Sequence, residues 1–223
     1  MNIVITGANR GIGLALTKLY LDRGDSVWAC YRNDLGGLSA ITSDRLVQLQ
    51  WDISQTVSTN TLQQIPDRVD LLFNNAGIYG PYDGQTLETI TAEDMLQVFD
   101  VDCVGALRVV QSLQDKIISA QGIIANISSK MGSSDDNTSG GCYAYRAAKA
   151  AMIIVSKSMA VDLGKLGVRV ITLHPGWVQT DMTHHSGEID ADTSANGLAT
   201  VIDTIDQYSP GAFIAWDGER IPY

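Results

Sequence analysis

The sequence predicts an α/β fold: one doubly wound parallel sheet of about seven strands, flanked by helices. Three observations lead there. Short apolar, β-branched runs alternate with stretches of helical periodicity along the whole chain. A glycine-rich turn separates the first such run from the first helical stretch. Polar and glycine-containing motifs recur directly after the strands, which in a parallel sheet is the edge where ligands bind. The 223 residues suit one domain with a sizeable core, and no linker, repeat or low-complexity tract divides them.

Asn2 to Thr6 is an apolar run and reads as a buried strand. Gly7-Ala8-Asn9-Arg10-Gly11-Ile12-Gly13 follows, and then a helix with Ile12, Ala15, Leu16 and Leu19 at helical spacing, ending near Gly24. Strand, glycine turn and helix are the setting a dinucleotide fingerprint needs. The glycines let the backbone approach a pyrophosphate, and the helix N-terminus supplies free N–H groups. The spacing is G-x-x-x-G-x-G rather than G-x-G-x-x-G, and a turn without a ligand is the plain alternative. The second strand, Ser26 to Tyr31, ends in Tyr31-Arg32, where NAD binders usually carry an acidic residue for the ribose 2′-hydroxyl. Arg32, with Arg10 in the glycine turn, suits a 2′-phosphate instead, so NADP is expected over NAD. Either arginine also reads as a solvated surface charge.

Leu46 to Trp51 is the third strand, with Asp52-Ile53 at its end, where a carboxylate could accept from an adenine amino group. A helix is expected from Ser54 to Ile65, closed by Pro66, and a fourth strand from Val69 to Phe73. The latter runs into Asn74-Asn75-Ala76-Gly77, which alone is an ordinary turn. Tyr79 to Thr86 is a loop at the same edge. A long helix is expected from Thr91 to Ser119, with Thr91 as N-cap and Asp94 three residues on. Gly122 to Ile127 is the fifth strand, ending in Ser128-Ser129-Lys130-Met131-Gly132, and Asp135 to Gly141 is a polar loop.

Cys142 to Leu166 reads as a helix with Tyr145 and Lys149 on one face. An ammonium beside a phenol favours the phenolate, so the Tyr145 pKa is expected below its ordinary value of about 10. That would give a proton donor or acceptor near neutral pH. Such a pair is common on helices by chance, and its weight comes from the other motifs. Val168 to Leu173 is the sixth strand, leading to His174-Pro175-Gly176-Trp177-Val178-Gln179-Thr180. A helix from Ala191 to Ile205, a strand from Gly211 to Trp216 and a tail complete the chain.

Composition narrows the function. A formal net charge of −10 argues against nucleic acid or an anionic membrane as the main partner. Neither a signal peptide nor a membrane-length apolar segment is expected. Cys30, Cys103 and Cys142 are odd in number and far apart, which suggests reduced thiols and a cytoplasmic setting. No cluster has metal-site spacing, and no metal is expected.

Thr6-Gly7 to Gly13, Asn74-Asn75-Ala76-Gly77, Ser129, Tyr145-x-x-x-Lys149 and Pro175-Gly176, as an ordered set over essentially the whole chain, resemble the short-chain dehydrogenase/reductase superfamily. Within it the chain looks most like C-factor-like and sniffer-like carbonyl reductases, given the short region after Pro175-Gly176, the 135–141 insertion and the Gly211-Ala212-Phe213 ending. The resemblance implies a single Rossmann domain, residues 1–90 being mainly its dinucleotide-binding half and residues 91–223 its catalytic and substrate half. It implies NADPH-dependent reduction of a small carbonyl compound, or oxidation of the matching alcohol. Tyr145 would be the general acid/base, Ser129 would place the oxygen, and Lys149 would lower the phenol pKa and hold the nicotinamide ribose. Ser129 rather than Ser128 fits the family's Ser-x-x-Gly, with Gly132 three residues on.

By the same resemblance Gly7, Asn9, Arg10, Gly11, Ile12 and Gly13 would hold the phosphates and adenosine. Arg32 would read the 2′-phosphate, and Asp52 and Ile53 the adenine. Asn75, Ala76 and Gly77 would line the adenosine ribose, and Pro175, Gly176, Val178 and Thr180 the carboxamide. Tyr79, Met131, Tyr143 and Trp177 are the candidate substrate contacts, while His184 and His185 read as loop residues. Many family members pair through two long helices, so a homodimer is expected. One position departs from the family pattern V-N-x-x-G: here Val101-Asp102-Cys103-Val104-Gly105 puts Asp102 where the asparagine supports a water chain to the lysine. Asp102 is a fourth candidate catalytic residue, but an ionised carboxylate lacks the amide's donor and opposes phenolate formation. The alternative function is an NADP(H)-binding regulator of the C-factor type with little turnover.

Overall fold

The computed structural model describes all of residues 1–223. Seven strands form one parallel sheet: β1 (Asn2–Ile5), β2 (Ser26–Tyr31), β3 (Leu46–Gln50), β4 (Leu71–Asn74), β5 (Ile123–Ile127), β6 (Arg169–His174) and β7 (Phe213–Ala215). Their order is β3-β2-β1-β4-β5-β6-β7. The chain runs outward from β1 to β3, returns to β4 beside β1, and runs outward the other way. The connections leaving β1 and β4 therefore diverge, and a crevice opens between them at the carboxyl edge.

Both sheet faces are buried, as a parallel sheet requires. Ile3 and Ile5 point to one side, into a cluster with Leu16 and Tyr20 of α1 (Gly11–Asp22) and Leu198 and Ile202 of α6 (Ala191–Asp203). Val4, between them, points the other way, toward Val109 and Leu113 of α4 (Ala106–Ala120) and Met152 and Met159 of α5 (Tyr143–Gly164). The strand period of two thus divides one apolar run between two cores.

Three segments differ from the sequence expectation. In place of a helix over 54–65 there is only α2 (Thr59–Gln63), capped by the Ser58 hydroxyl, which accepts from the Thr61 N–H. Upstream, Asp52 closes a local turn, its Oδ1 accepting from the Ser54 N–H at 3.0 Å and the Ser54 hydroxyl at 2.8 Å; such local bonds compete with helix. The long helix starts as expected, with a Thr91–Asp94 capping box on α3 (Ala92–Phe99). A π-helical segment, Asp100–Gly105, then separates α3 from α4. The tail folds back on β7: the Ala215 N–H donates to the Glu219 carbonyl at 2.8 Å and the Ile221 N–H to that of Phe213 at 2.9 Å. This covers a sheet edge. No helix is long and apolar enough to cross a membrane.

Candidate active site

The crevice beside β1 is tied across its floor by Thr6 and Asn75. The Thr6 hydroxyl accepts from the N–H groups of Asn75 and Ala76 at 3.0 and 3.1 Å. The Asn75 side-chain amide donates to the carbonyls of Thr6 and Gly7 at 2.9 and 3.1 Å. Gly7 has φ +62°, and a Cβ on Gly13 would sit 2.3 Å from the Gly7 carbonyl oxygen, so both positions demand glycine. Helix α1 starts at Gly11 with no side-chain cap and no acidic residue in its first turn, which leaves its first N–H groups to an anion. Asn9, Arg10 and Gly11 face Thr180 and Asp181 across a cavity of about 360 Å³. The uncapped helix start and the close-packed glycines fit the phosphates of a dinucleotide.

The remaining candidates for that cofactor sit around the same edge. Arg32 is exposed at the end of β2, and Arg10 reaches Asp181 at 3.4 Å in an exposed pair. Asp52 ends β3 but has one carboxylate oxygen engaged with Ser54. Ile53 is buried, and its Cδ1 would lie 2.9 Å from a Cβ on Gly105. Ile12 is half-buried against the α1 core. After β6, the Pro175 carbonyl accepts from Ser194 at 2.6 Å, Gly176 has φ +91°, and buried Val178 pairs with Ile189. Thr180 packs against Gly11, so this loop closes onto the glycine turn.

Tyr145, Lys149, Ser129 and Asp102 come together where β5, α5 and the π-helical segment meet. Lys149 Nζ lies 5.5 Å from the Tyr145 ring centre and 3.0 Å from Asp102 Oδ2. It also donates to the Ile127 carbonyl at 3.3 Å. Asp102 Oδ1 accepts from the Ile78 N–H at 2.7 Å. The ion pair is sealed, with side-chain exposures of 5% and 0%, and a Cβ on Gly77 would lie 3.2 Å from Asp102 Oδ2. Ser129 hydrogen-bonds toward the phenol, whereas Ser128 donates to the Lys149 carbonyl at 2.8 Å. Adjacent strand-end residues thus point opposite ways.

The electrostatics correct one expectation. The Tyr145 pKa is raised, not lowered. Burial is the largest cause, and Lys149 and the Ser129 hydrogen bond pull against it, while Asp102 adds to the rise. Burial also pushes the Asp102 carboxyl up, against the pull of Lys149 and the Ile78 N–H. For Lys149 burial acts downward, yet Asp102 and Tyr145 reverse it and the ammonium is held above its ordinary value. The 3.0 Å approach and the N–H donor on the other oxygen fit an ionised pair, so the charged Lys149 governs, and the rise at Asp102 marks the cost of burying it. Asp102 thereby occupies the cation that would otherwise stabilise a phenolate.

The loop after β4 forms the adjoining wall. The Tyr79 ring lies 5.0 Å from that of Tyr145 and 5.4 Å from that of Tyr82, which is 4.6 Å from His184. The Tyr79 hydroxyl meets Cys142 Sγ at 2.9 Å. Met131 follows Ser129, donating its N–H to the Ser129 hydroxyl, and its carbonyl accepts from Arg146. The other two substrate candidates stand apart. Tyr143 is exposed in the first turn of α5. Trp177 is exposed and lines a separate cavity of about 460 Å³ beyond β5–β7, with Lys130, His174 and Trp216. His184, read from sequence as a plain loop residue, is packed on Tyr82. Gln85, which carries no functional signal in the sequence, is buried between Tyr79 and Tyr145. No group of three or more His, Cys, Asp or Glu side chains is placed to hold a metal ion.

This arrangement sits in a chain whose residues 1–190 match the family model for short chain dehydrogenases. The chain belongs to the short-chain dehydrogenase family. It is 37% identical over 158 residues to the C-signal of Myxococcus xanthus, covering 70% of this chain and 93% of that one. The NADPH-bound carbonyl reductase from chicken fatty liver superimposes with a TM-score of 0.90 at 26% identity, covering 100% and 98% of the two chains. The carbonyl reductase Sniffer of Drosophila melanogaster gives 0.88 at 27% identity, covering 100% and 99%. The protein is thus an oxidoreductase-family chain of Rossmann type with carbonyl reductases among its structural neighbours.

Proposed function

We propose that the protein is an NADPH-dependent reductase of small carbonyl compounds, with Tyr145 as general acid. The observation that carries this reading is the joint placement of Tyr145, Ser129 and buried Lys149 beside a crevice floored by Gly7, Gly13 and an uncapped helix start. Gly7, Asn9, Gly11, Ile12 and Gly13 would hold the pyrophosphate side, Arg10 and Arg32 a 2′-phosphate, and Asp52, Ile53, Asn75, Ala76 and Gly77 the adenosine. Pro175, Gly176, Val178 and Thr180 would hold the carboxamide end. The chemistry a bound NADPH supplies is hydride delivery to the carbonyl carbon.

Ser129 positions the substrate oxygen by a hydrogen bond, and Tyr145 gives that oxygen its proton. A phenol with a raised pKa stays protonated at neutral pH, which suits the reductive direction. Lys149 keeps a fixed positive charge behind the phenol, and Asp102 anchors that lysine. Tyr79, its ring tilted against that of Tyr145, forms the wall against which the substrate rests.

A second reading is favoured by one observation. The Asp102–Lys149 pair resists phenolate formation, and the C-signal relative is not named for an oxidoreductase activity. A cofactor-binding regulator with slow turnover would use the same fold. Following NADPH consumption with aldehydes, ketones and diketones separates the two. Turnover on at least one compound supports the reductase, and NADPH binding without turnover on any supports the regulator.

A further inference from the structure

Helix α5 carries Tyr145 and begins without a cap of its own. Its N-cap residue, Cys142, is left-handed (φ 51°) and makes no side-chain capping bond. The first N–H groups of any helix have no intrahelical partner, and Tyr145, third residue of α5, is among them. The Tyr145 N–H instead donates to Gln85 Oε1 at 3.1 Å, from 60 residues away in sequence. The other end of that amide donates from Nε2 to the Tyr79 carbonyl at 2.8 Å and the Pro81 carbonyl at 3.3 Å. Gln85 is 5% exposed, so water does not compete well for these bonds.

We propose that Gln85 is a positioning residue for the reaction, a remote cap that fixes Tyr145 and binds the Tyr79 loop to the catalytic helix through one side-chain amide. This rests on the reductase reading above. The two ends of the amide have separate tasks. Oε1 sets the height of Tyr145 in the first turn of α5, where a small displacement changes the aim of the phenol. Nε2 holds the backbone of Tyr79 and Pro81, and so keeps the Tyr79 ring beside the reacting position.

The test uses the full chain with NADPH and the best carbonyl compound from the panel. Q85M removes both ends while nearly preserving volume, and Q85E keeps an acceptor but loses both donated bonds. Q85M should lower kcat at least tenfold with KM for NADPH unchanged. It should also speed hydrogen exchange at the Tyr145 amide, a readout independent of turnover, while amides in the sheet keep their protection. Q85E should retain more of kcat than Q85M and raise KM for the carbonyl compound several-fold. Parent kcat and parent Tyr145 exchange in Q85M would overturn the proposal, as would faster exchange spread evenly over the molecule with a lowered Tm, which marks a scaffold residue. If the parent itself turns over no compound, the reductase reading falls, and the proposal with it.

Discussion

Replacing Asp102 with asparagine changes a charge and almost no volume, so it isolates the effect of the buried carboxylate. Lys149 Nζ is 5.5 Å from the Tyr145 ring centre. With the ring centre taken as the phenolate position and an effective dielectric of about 20, their attraction is ~3 kcal/mol. Asp102, 3.0 Å from the same ammonium, cancels much of that pull. D102N removes one of the causes that hold the Tyr145 pKa up, so it should lower that pKa. Reduction needs the protonated phenol, so its high-pH limb should move to lower pH. Alcohol oxidation needs the phenolate, so it should rise at lower pH. The assay is kcat against pH in both directions, with an ultraviolet titration of the protein, parent minus its Y145F counterpart, in each background. The amide oxygen introduced by D102N can still accept from the Ile78 N–H, but the buried ammonium loses its partner, and stability should fall by about 3 kcal/mol or more. Profiles that do not move, or that move to higher pH, would refute the electrostatic reasoning.

Two further outcomes follow from particular residues. R32A should raise KM for NADPH at least tenfold and leave KM for NADH nearly unchanged, because a guanidinium matches a 2′-phosphate and has no such match to a hydroxyl; equal losses with both cofactors would remove Arg32 from that role. Burial lowers the His174 pKa to about 4 from 6.5, and its Nδ1 accepts from the Lys130 N–H. A group neutral in the fold but protonated when unfolded favours unfolding as pH falls, so about 3 kcal/mol of stability should be lost between pH 6.5 and 4. H174Q should lack that component when denaturation is followed against pH, and an identical pH dependence in both proteins would contradict it.

The strand-and-helix order was legible because each buried strand is a compact apolar run and each motif falls where its strand ends, as at Thr6-Gly7 and Asn74-Asn75. Thr91 and Asp94 announced a helix start through local chemistry alone. What was hidden depends on contacts distant in sequence. The direction of the Tyr145 shift follows first from burial of the phenol itself and then from Asp102, neither of which spacing encodes. The π-helical segment is invisible in apolar periodicity, although it contains Asp102, the one position that departs from the family pattern. The 54–65 segment misled because Asp52 and Ser54 form a local turn that propensity does not register. Gln85 carried no signal at all: a glutamine in a polar loop looks solvated until the fold buries it against α5.

In the proposed reaction Tyr145 hands a proton to a carbonyl oxygen in a chain that binds NADPH. It is tested most directly with NADPH deuterated at the transferable position, parent and Y145F side by side, measuring label in the alcohol product and NADPH affinity by fluorescence. Labelled alcohol is expected from the parent, with a loss of at least a hundredfold in Y145F, in the range for removing a general acid, and equal NADPH affinity in both. Equal labelling by Y145F, or tight NADPH binding by the parent with no labelled product from any carbonyl compound, would contradict it.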